Sequence, residues 1–471
     1  MAIIKKSDLV HFIGIGGCGM SAIAKIMLAK GYKISGSDIR ESVNTIRLRE
    51  EGATIHIGHD ASNLRHINHI VVTTAIKNDN AELTSAIKQK IPIKKRAEAL
   101  AWLMDEHKVR IAIGGTHGKT TTTAMAATVL SENGLQPTFT VGGDVNSFNT
   151  NAQSGNGCYF VTEADESDGS ILYLSPTILL VTNIEEDHLE YLGNLEKIEQ
   201  LFLQIIKKIP KNGHLIINKD SPSCQKLLEK LQKTNDINII TYGKHPSADY
   251  HISNTKLDQY KAKADVYYKN KDIGTLELNI PGIHNLENAL SIIALGSIIG
   301  LSEPKVLASI KSFLGTKRRF QKIGVADGIT IIDDYAHHPT EIRATLDAAK
   351  SGFNSRIVCV FQPHRYTRTM FFLKDFAKAF ESADIIIITD VYSAGEHPIK
   401  GISGKSIIDE MNLSKKSNKE VLYIPKKEEI SIRLLEILKK GDLLLTMGAG
   451  DINNVAKETL IRIGAQNKKE D

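Results

Sequence analysis

Two stretches of this chain share one pattern, in which a short apolar strand runs into a glycine-rich turn and then a helix. The first reads HFIGIGGCGMS at residues 11–21, and the second reads IGGTHGKTTTTAM at residues 113–125. Glycine lets the backbone of such a turn approach a bound anion, and the positive N-terminal end of the following helix faces that anion. The pattern therefore predicts an α/β fold with two separate anion-binding turns.

Length and composition narrow the class of protein. A chain of 471 residues is long enough for roughly three domains. Its 59 basic and 54 acidic residues are too evenly balanced for a general nucleic-acid coat, so no nucleic-acid partner is expected. The four cysteines form no CxxC pair, the sequence opens without a signal-peptide pattern, and no apolar run is long enough to enter a membrane. These features predict a cytoplasmic protein and leave open whether it is a monomer or a homodimer.

Alternating strand and helix patterns divide the chain into three blocks. We expect a Rossmann-like domain over residues 1–108, a central P-loop ATPase-like α/β domain over 109–314, and a Rossmann-like C-terminal domain over 315–471. Within residues 211–280, short alternating strands separated by turn residues predict a small, mainly antiparallel extra β-sheet in the central domain.

The second turn has the composition of a phosphate-binding loop, although it is one residue shorter than the common form. Gly114, Gly115 and Gly118 allow backbone N–H groups to converge on phosphate oxygens. Lys119 is placed to reach the outer phosphates, and the Thr120 hydroxyl is placed to bind Mg²⁺. A glycine turn followed by a solvated lysine is the structural alternative, and the strand and helix around this turn argue against it.

Two buried strands that follow the turn end in acidic residues, FVTEADESD and VTNIEEDH. Ligands of parallel sheets bind at the carboxyl ends of the strands, so Glu163 is a candidate ligand of Mg²⁺. Glu166 is a second candidate ligand. His188 could hold a second metal ion, although a lone loop histidine more often has a structural role.

The first turn fits GxGxxG at Gly14, Gly16 and Gly19, with Asp38 where a ribose-binding acid is expected. The spacing indicates a nucleotide with a diphosphate but does not distinguish NAD from other nucleotides.

Taken together, the motifs HFIGIGGCGMS, GTHGKTTTTAM, TEADESDGS, VTNIEEDH, PGIHNLENAL, KRRFQ, DDYAHHPTEI and FQPHRYTRT resemble those of the Mur ligases, in the same order along the chain. The resemblance implies one domain each for a UDP-sugar, for ATP and for an amino acid. It also implies an ADP-forming ligase that joins the lactyl carboxylate of UDP-N-acetylmuramate to L-alanine through an acyl phosphate. That reaction is the first amino-acid addition in peptidoglycan precursor synthesis.

The resemblance assigns roles to residues that match the family motifs. The UDP-sugar site would include Gly16, Gly17, Cys18, Gly19, Met20, Ser21, Asp38, Thr73 and Thr74. The ATP site would include Gly115, Thr116, His117, Gly118, Lys119, Thr120, Thr121, Asn285, Asn288, Arg319 and Asp334. The metal site, for what are expected to be two Mg²⁺ ions, would include Thr120, Glu163 and His188. The amino-acid and catalytic group would include Lys119, Tyr335, His337, His338, His364, Arg365 and Arg368.

Two features of these motifs leave questions open. Several relatives use a carbamylated lysine, and Lys197 is the nearest candidate here, without a convincing match. His338 is a candidate general base. DDYAHHP also has the composition of a helix start, with Asp334 as the N-cap and Pro339 at the first helical position.

Three other functions compete with this interpretation. A sibling ligase that joins a preformed peptide to the same sugar would share the first two blocks. A nicotinamide-dependent oxidoreductase would explain Gly14 to Asp38 but would leave the second turn without a use. A non-catalytic UDP-sugar sensor is disfavoured because Lys119, Thr120, Glu163 and His188 retain the chemistry for phosphate and metal binding.

Overall fold

The N-terminal block of the protein alternates strands and helices around one parallel sheet. In the computed structural model, residues 4–187, 189–231, 236–413 and 419–470 are described. The elements of this block are β1 (Leu9–Ile13), α1 (Cys18–Ala29), β2 (Lys33–Asp38), α2 (Val43–Glu50), β3 (Thr54–Ile57), β4 (His69–Val72), α3 (Ala81–Lys88), β5 (Ile93–Lys95) and α4 (Arg96–Asp105). The strands pair in parallel in the order β3-β2-β1-β4-β5, as the alternating pattern predicts.

The second block is built on strands that carry almost unbroken apolar sequence, because both of their faces are covered. The elements are β6 (Val109–Gly114), α5 (Lys119–Glu132), β7 (Thr138–Val145), β8 (Thr150–Gln153), β9 (Tyr159–Ala164), β10 (Ile178–Val181), α6 (Leu189–Leu192), α7 (Leu195–Ile206), β11 (His214–Asn218), α8 (Pro222–Leu231) and β12 (Asn238–Gly243). β6 lies between β9 and β10 and is parallel to both. The second glycine turn therefore emerges between two neighbouring strand ends.

The predicted extra sheet over residues 211–280 is smaller than its sequence suggested. β11 and β12 pair in parallel with β10 and with each other, so they extend the parallel strands. Among the described residues of this segment, the antiparallel pairs are those that join β13 (Tyr250–Asp258) to β14 (Lys261–Tyr268) and β14 to β15 (Lys271–Leu278). The apolar-polar alternation of β11 and β12 indicated strands correctly, but it does not specify the direction in which strands pair.

The third block again builds a mostly parallel sheet between layers of helices. Its elements, with the two helices before them, are α9 (Ile283–Ile298), α10 (Glu303–Ser312), β16 (Gln321–Ala326), β17 (Ile329–Asp334), α11 (Pro339–Gly352), β18 (Ile357–Phe361), α12 (Tyr366–Phe371), α13 (Leu373–Phe376), β19 (Ile385–Ile388), α14 (Gly404–Leu413), β20 (Glu420–Tyr423), α15 (Lys427–Ile437), β21 (Leu443–Met447) and α16 (Asn453–Glu470). The order is β16-β17-β21-β18-β19-β20, and β16 alone is antiparallel to its neighbour.

Contacts divide the chain into two compact units. The first contains the N-terminal sheet and the strands β6 to β12, among which β8 is antiparallel to β7. The second contains the antiparallel strands, the third sheet and the loop 185–198. The division into three domains at residues 108 and 314 stays a prediction. Among the described residues, no helix has both the length and the apolar content needed to cross a membrane.

A buried lysine links α1 to β8 inside the first unit. Lys25 is 5% exposed, and its Nζ donates to Asn151 Oδ1 at 2.9 Å and to Thr150 Oγ1 at 3.3 Å. Asn151 Nδ2 donates in turn to the Cys18 carbonyl at 2.9 Å. Burial lowers the pKa of Lys25, because a buried ammonium loses its hydration. The amide of Asn151 therefore connects a buried charge to the first glycine turn.

Replacing Asn151 should expose how much this connection contributes to stability. Asn151→Ala removes one acceptor from a buried ammonium, so we expect the free energy of unfolding to fall by about 2 kcal/mol. Equilibrium urea unfolding measures the change. Lys25→Met removes the charge itself, so the double variant should lose less than the sum of the two single losses. Additive losses would contradict the direct coupling.

Candidate active site

The second glycine turn has the backbone that a phosphate loop requires. Gly115 and Gly118 have φ of 134° and 82°, values at which side chains are strained. A Cβ on Gly115 would also overlap the Thr182 hydroxyl. Gly118 is the N-cap of α5, which begins at Lys119. The turn therefore delivers its lysine at the N-terminal end of a helix, as predicted.

The two residues that follow β10, Thr182 and Asn183, hold Thr116 and His117 of this turn in place. The Thr116 N–H donates to the Asn183 carbonyl at 3.0 Å, and the His117 N–H donates to Asn183 Oδ1 at 2.9 Å. The Thr182 hydroxyl donates to the His117 carbonyl at 2.6 Å. Thr121 is buried in the first turn of α5. The backbone of the turn is thus fixed by its contacts with Thr182 and Asn183.

Lys119 is held by a carboxylate and by its own turn. Its Nζ lies 2.9 and 3.1 Å from the two carboxylate oxygens of Glu166, 2.5 Å from the Gly115 carbonyl and 3.1 Å from that of Thr116. Burial alone would lower the pKa of Lys119, but the charges of Glu166 and Asp165 outweigh it and raise the pKa. Lys119 is therefore positively charged at neutral pH.

Thr120 and Glu163 meet beside this lysine. The Thr120 hydroxyl donates to Glu163 Oε2 at 3.2 Å, and the Gly142 N–H donates to Glu163 Oε1. A hydroxyl and a carboxylate are hard oxygen donors of the kind that Mg²⁺ prefers. The pair therefore fits the predicted metal site, although Glu166, the other sequence candidate, pairs with Lys119 instead. His188, the third predicted ligand, lies outside the described residues.

The first glycine turn is held by the residues that follow β2. The Gly16 N–H donates to Asp38 Oδ2 at 2.9 Å, and Asn44 Nδ2 donates to the Gly16 carbonyl at 2.9 Å. Gly17 is the N-cap of α1, which has no side-chain cap and no acidic residue in its first turn. The helix end is therefore available for an anion, as the spacing predicts.

The other residues predicted for the UDP-sugar site differ in whether their side chains or only their backbone groups could contact a ligand. Met20 and Ser21 are buried, and the Ser21 hydroxyl donates to the Cys18 carbonyl at 3.0 Å. Their side chains face the interior, so only their backbone could serve a ligand. Thr73 packs against Gly14, at 3.2 Å from the place of a Cβ, and Thr74 Oγ1 donates to Asp168 Oδ2 at 3.4 Å.

In the second unit, the loops after β17 and β18 bring two histidines together. The rings of His337 and His364 lie edge to face with centroids 5.8 Å apart, and His364 stacks on Tyr392 at 5.6 Å. Burial lowers the pKa of His337 to about 4, against the opposing charge of Glu341. Burial, His337 and neighbouring arginines lower the pKa of His364 to about 3. Both imidazoles are neutral at pH 7.

Arg368 forms a buried ion pair in this unit. It lies in α12, its side chain is 3% exposed, and its Nε and Nη2 lie 3.2 and 2.9 Å from Asp187 Oδ1. Arg365 is its more accessible neighbour, with a side chain 37% exposed, a positive φ of 70° and Glu396 at 3.5 Å. The prediction that both arginines bind the amino acid stays a prediction, and Arg365 is the more exposed of the two.

His338 is engaged through both ring nitrogens. Its Nδ1 accepts from the Thr340 N–H at 3.3 Å, and its Nε2–H donates to the Glu186 carbonyl at 3.1 Å. It is the N-cap of α11, with Pro339 as the first helical residue. Asp334 was expected to be this N-cap, but it is the last residue of β17. An imidazole that caps a helix and has no free lone pair is a poor general base, so the contacts of His338 argue against this role.

The remaining predicted residues of the second unit have mostly internal partners. Asp334 is buried and accepts from the N–H groups of Phe320 and Ala336, and burial raises its pKa to about 6. Arg319 lies 5.2 Å from the Tyr335 ring centroid, with a side chain 28% exposed. Asn285 Nδ2 donates to the Pro281 carbonyl at 2.6 Å. Asn288 is buried in α9.

Comparisons with known proteins decide the family. Three family models match in order: Mur ligase family, catalytic domain, at residues 9–108; Mur ligase middle domain at 113–296; and Mur ligase, glutamate ligase domain, at 318–450. The UDP-N-acetylmuramate–L-alanine ligase of Pelotomaculum thermopropionicum is 46% identical over 464 residues, which cover 98% of this chain and 99% of that protein. The chain belongs to the Mur ligase family.

Other Mur ligases agree in sequence and in fold. The UDP-N-acetylmuramate–L-alanine ligase of Dictyoglomus turgidum is 46% identical, with 96% of each chain covered. A crystal structure of the UDP-N-acetylmuramate–alanine ligase of Thermotoga maritima superimposes with a TM-score of 0.82 at 33% identity, covering 97% of this chain and 99% of that one. A murein peptide ligase of Psychrobacter arcticus superimposes with a TM-score of 0.72 at 25% identity, covering 97% and 99%.

Sequence reasoning missed several residues of this Mur ligase site. Asn183 holds the phosphate turn, and its position just after a buried strand could have indicated it. Glu166 was considered only as a metal ligand, and its pairing with Lys119 requires the β6–β9 register. Gly142 carried no local signal, because its partner Glu163 comes from a distant part of the chain.

The two neutral histidines give a prediction about pH. In the unfolded chain a histidine binds a proton below about pH 6.5, whereas His337 and His364 remain neutral until about pH 4 and 3. The unfolded state therefore binds more protons in this window, and stability should fall as the pH is lowered through it. NMR of labelled imidazoles, assigned with His337→Gln and His364→Gln, should show neither ring titrating between about pH 7.5 and 5.5. A midpoint within that range would contradict the burial of these rings.

Proposed function

We propose that this Mur ligase joins the lactyl carboxylate of UDP-N-acetylmuramate to L-alanine, with ATP as co-substrate and ADP and phosphate as products. One observation carries the proposal: a lysine-bearing phosphate turn and a separate glycine turn lie in one compact unit, in a chain closely similar along its length to ligases named for this reaction. One turn suits the triphosphate of ATP and the other the diphosphate of the UDP-sugar. The reaction would be the first amino-acid addition to a peptidoglycan precursor, in the cytoplasm.

A carboxylate does not react with an amine until it is activated. The γ-phosphoryl group of ATP would pass to the lactyl carboxylate and give an acyl phosphate. Lys119 would exchange its contacts with Glu166 and the turn carbonyls for phosphate oxygens, and its charge would stabilise the transferring group. The N–H groups of the turn and the N-terminal end of α5 would hold the neighbouring phosphates.

Magnesium is part of the proposal. Thr120 and Glu163 would hold the ion, together with His188 by family resemblance. When bound, Mg²⁺ neutralises charge on the phosphates and favours phosphoryl transfer. The Gly142 N–H fixes one carboxylate oxygen of Glu163, so the other oxygen keeps a defined direction towards Thr120.

The amine of alanine would then attack the acyl phosphate, forming the amide and releasing phosphate. Arg365 and Arg319 are two partly exposed cations of the second unit that could meet the alanine carboxylate or a phosphate. Neither His338, which lacks a free lone pair, nor the strongly acid-shifted His337 and His364 suits a general base near neutral pH. The proposal therefore assigns no described histidine to proton removal from the amine.

The substrate is tested by phosphate release from ATP. Release should require UDP-N-acetylmuramate and L-alanine together, and ADP and the amide should appear in equal amounts. Glycine and L-serine, assayed in parallel, measure the strictness for alanine. Release with a tripeptide but not with L-alanine would instead identify the sibling ligase. A change in NADH fluorescence on binding, without phosphate release, would identify an oxidoreductase.

The phosphate turn is tested by changing its lysine. Lys119→Met removes a charge aimed at the transferring phosphoryl group, so kcat should fall by a factor of about 100 or more, which corresponds to about 3 kcal/mol. Lys108→Met, at an exposed lysine before β6, is the matched control and should retain activity. Retention of full turnover by Lys119→Met would overturn the assignment of this turn.

A further inference from the structure

Arg96 is a basic residue next to the first glycine turn that none of the steps above uses. It is the first residue of α4, and its side chain is 21% exposed. Its Nη1 lies 3.2 Å from the place that a Cβ on Gly19 would take, and its Cδ lies 3.3 Å from it. A side chain at position 19 would displace the guanidinium. Arg96 therefore lies directly against the first turn of α1.

The same guanidinium also reaches the loop after β9. Arg96 Nη2 donates to Ser170 Oγ at 3.3 Å and lies 3.8 Å from Asp165 and 3.7 Å from Asp168. That loop carries Glu166, the partner of Lys119. One side chain thus spans the space between the proposed UDP-sugar turn and the loop that sets the position of the phosphate-binding lysine.

The contacts of Arg96 leave most of its donors available. A guanidinium has five N–H groups, and in the described part of the chain its hydrogen bonds and ion pairs all involve Nη2. Both carboxylates lie beyond hydrogen-bond distance, so neither forms the bidentate pair that is typical of a structural arginine–carboxylate bridge. The carboxylates orient the side chain, while Nη1, on the side of the glycine turn, has no acceptor among these contacts.

The neighbourhood of Nη1 favours an anion. The N-terminal end of α1 has neither a side-chain cap nor an acidic residue in its first turn, so its N–H groups and Arg96 present positive potential to the same region. We infer that Arg96 is a further binding residue for the sugar substrate, UDP-N-acetylmuramate, and that its Nη1 donates a hydrogen bond to an anionic oxygen of that molecule. The inference rests on the proposed function. UDP-N-acetylmuramate has two such anionic groups, its diphosphate and its lactyl carboxylate.

Calorimetric titration of the full-length protein tests this role, with UDP and UDP-N-acetylmuramate as separate ligands. Arg96→Ala should weaken binding of UDP-N-acetylmuramate by about tenfold or more, the effect of losing a hydrogen bond between charged groups. Arg96→Lys keeps the charge but not the planar donors and should recover only part of the affinity. If the affinity for UDP falls by the same factor, the anion that Arg96 binds is the diphosphate. If the affinity for UDP is unchanged, the anion that Arg96 binds is the lactyl carboxylate.

Arg47→Ala is the matched control. Arg47 also links the first two blocks, through Asp144 at 3.0 Å, and its side chain is 23% exposed. Its removal should change the affinity for either ligand by no more than about twofold. The inference is overturned if Arg96→Ala binds UDP-N-acetylmuramate as the wild type does, whatever its thermal stability. If the wild-type protein itself fails to bind UDP-N-acetylmuramate, the proposed function fails instead.

Discussion

The partly buried ammonium of Lys119 is the charge around which the phosphate turn is organised. A buried charge is costly unless it is fully paired, and here a carboxylate and two carbonyls of its own turn pair it. These partners keep Lys119 charged and folded back over the turn. A phosphate oxygen could replace a carbonyl without leaving the charge exposed at any stage. The same contacts that stabilise the turn thus hold the lysine where an anion would bind.

The sheet explains why these partners meet. β6 lies between β9 and β10, and all three are parallel, so the loops that follow them leave the sheet at one edge. The carboxyl end of β9 supplies Glu163, the loop after β9 supplies Glu166, and the loop after β10 supplies Asn183. In the β6–β9 register, Glu163 lies opposite Ile113, at the start of the turn. Strand order therefore converts two distant acidic stretches into one site around Lys119.

Local sequence predicted the parts of this site that depend on local geometry. Gly115 and Gly118 adopt positive φ, and α5 begins at Lys119, because a tight turn into a helix leaves few alternatives. Spacing alone indicated that Asp38 lies beside the first turn, where its carboxylate accepts a hydrogen bond from the Gly16 N–H. Thr120 and Glu163 meet because hydroxyl and carboxylate follow neighbouring strands. Each of these signals lies within a few residues of a strand end.

What the sequence could not provide was pairing between distant segments. Nothing local distinguishes Glu163, which meets Thr120, from Glu166, which meets Lys119. The parallel pairing of β11 and β12 was missed because alternation gives a strand its faces but not its neighbours. The imidazole of His338 was a possible general base by its chemistry. Only its contacts with Thr340 and Glu186 show that both ring nitrogens are engaged in hydrogen bonds.

The degree of pairing separates the arginines of this protein in a way that motif matching cannot. The Arg368 guanidinium is buried against Asp187 at hydrogen-bond distance, so removing either partner would leave an unpaired charge in the interior. Arg365, in the same motif, is partly exposed, with its carboxylate at the limit of contact. Arg96 resembles Arg365 in this respect, because its carboxylates orient it without forming close hydrogen bonds. The exposed fraction of the side chain and the distance to the nearest carboxylate therefore separate Arg368 from Arg96, which motif matching alone does not.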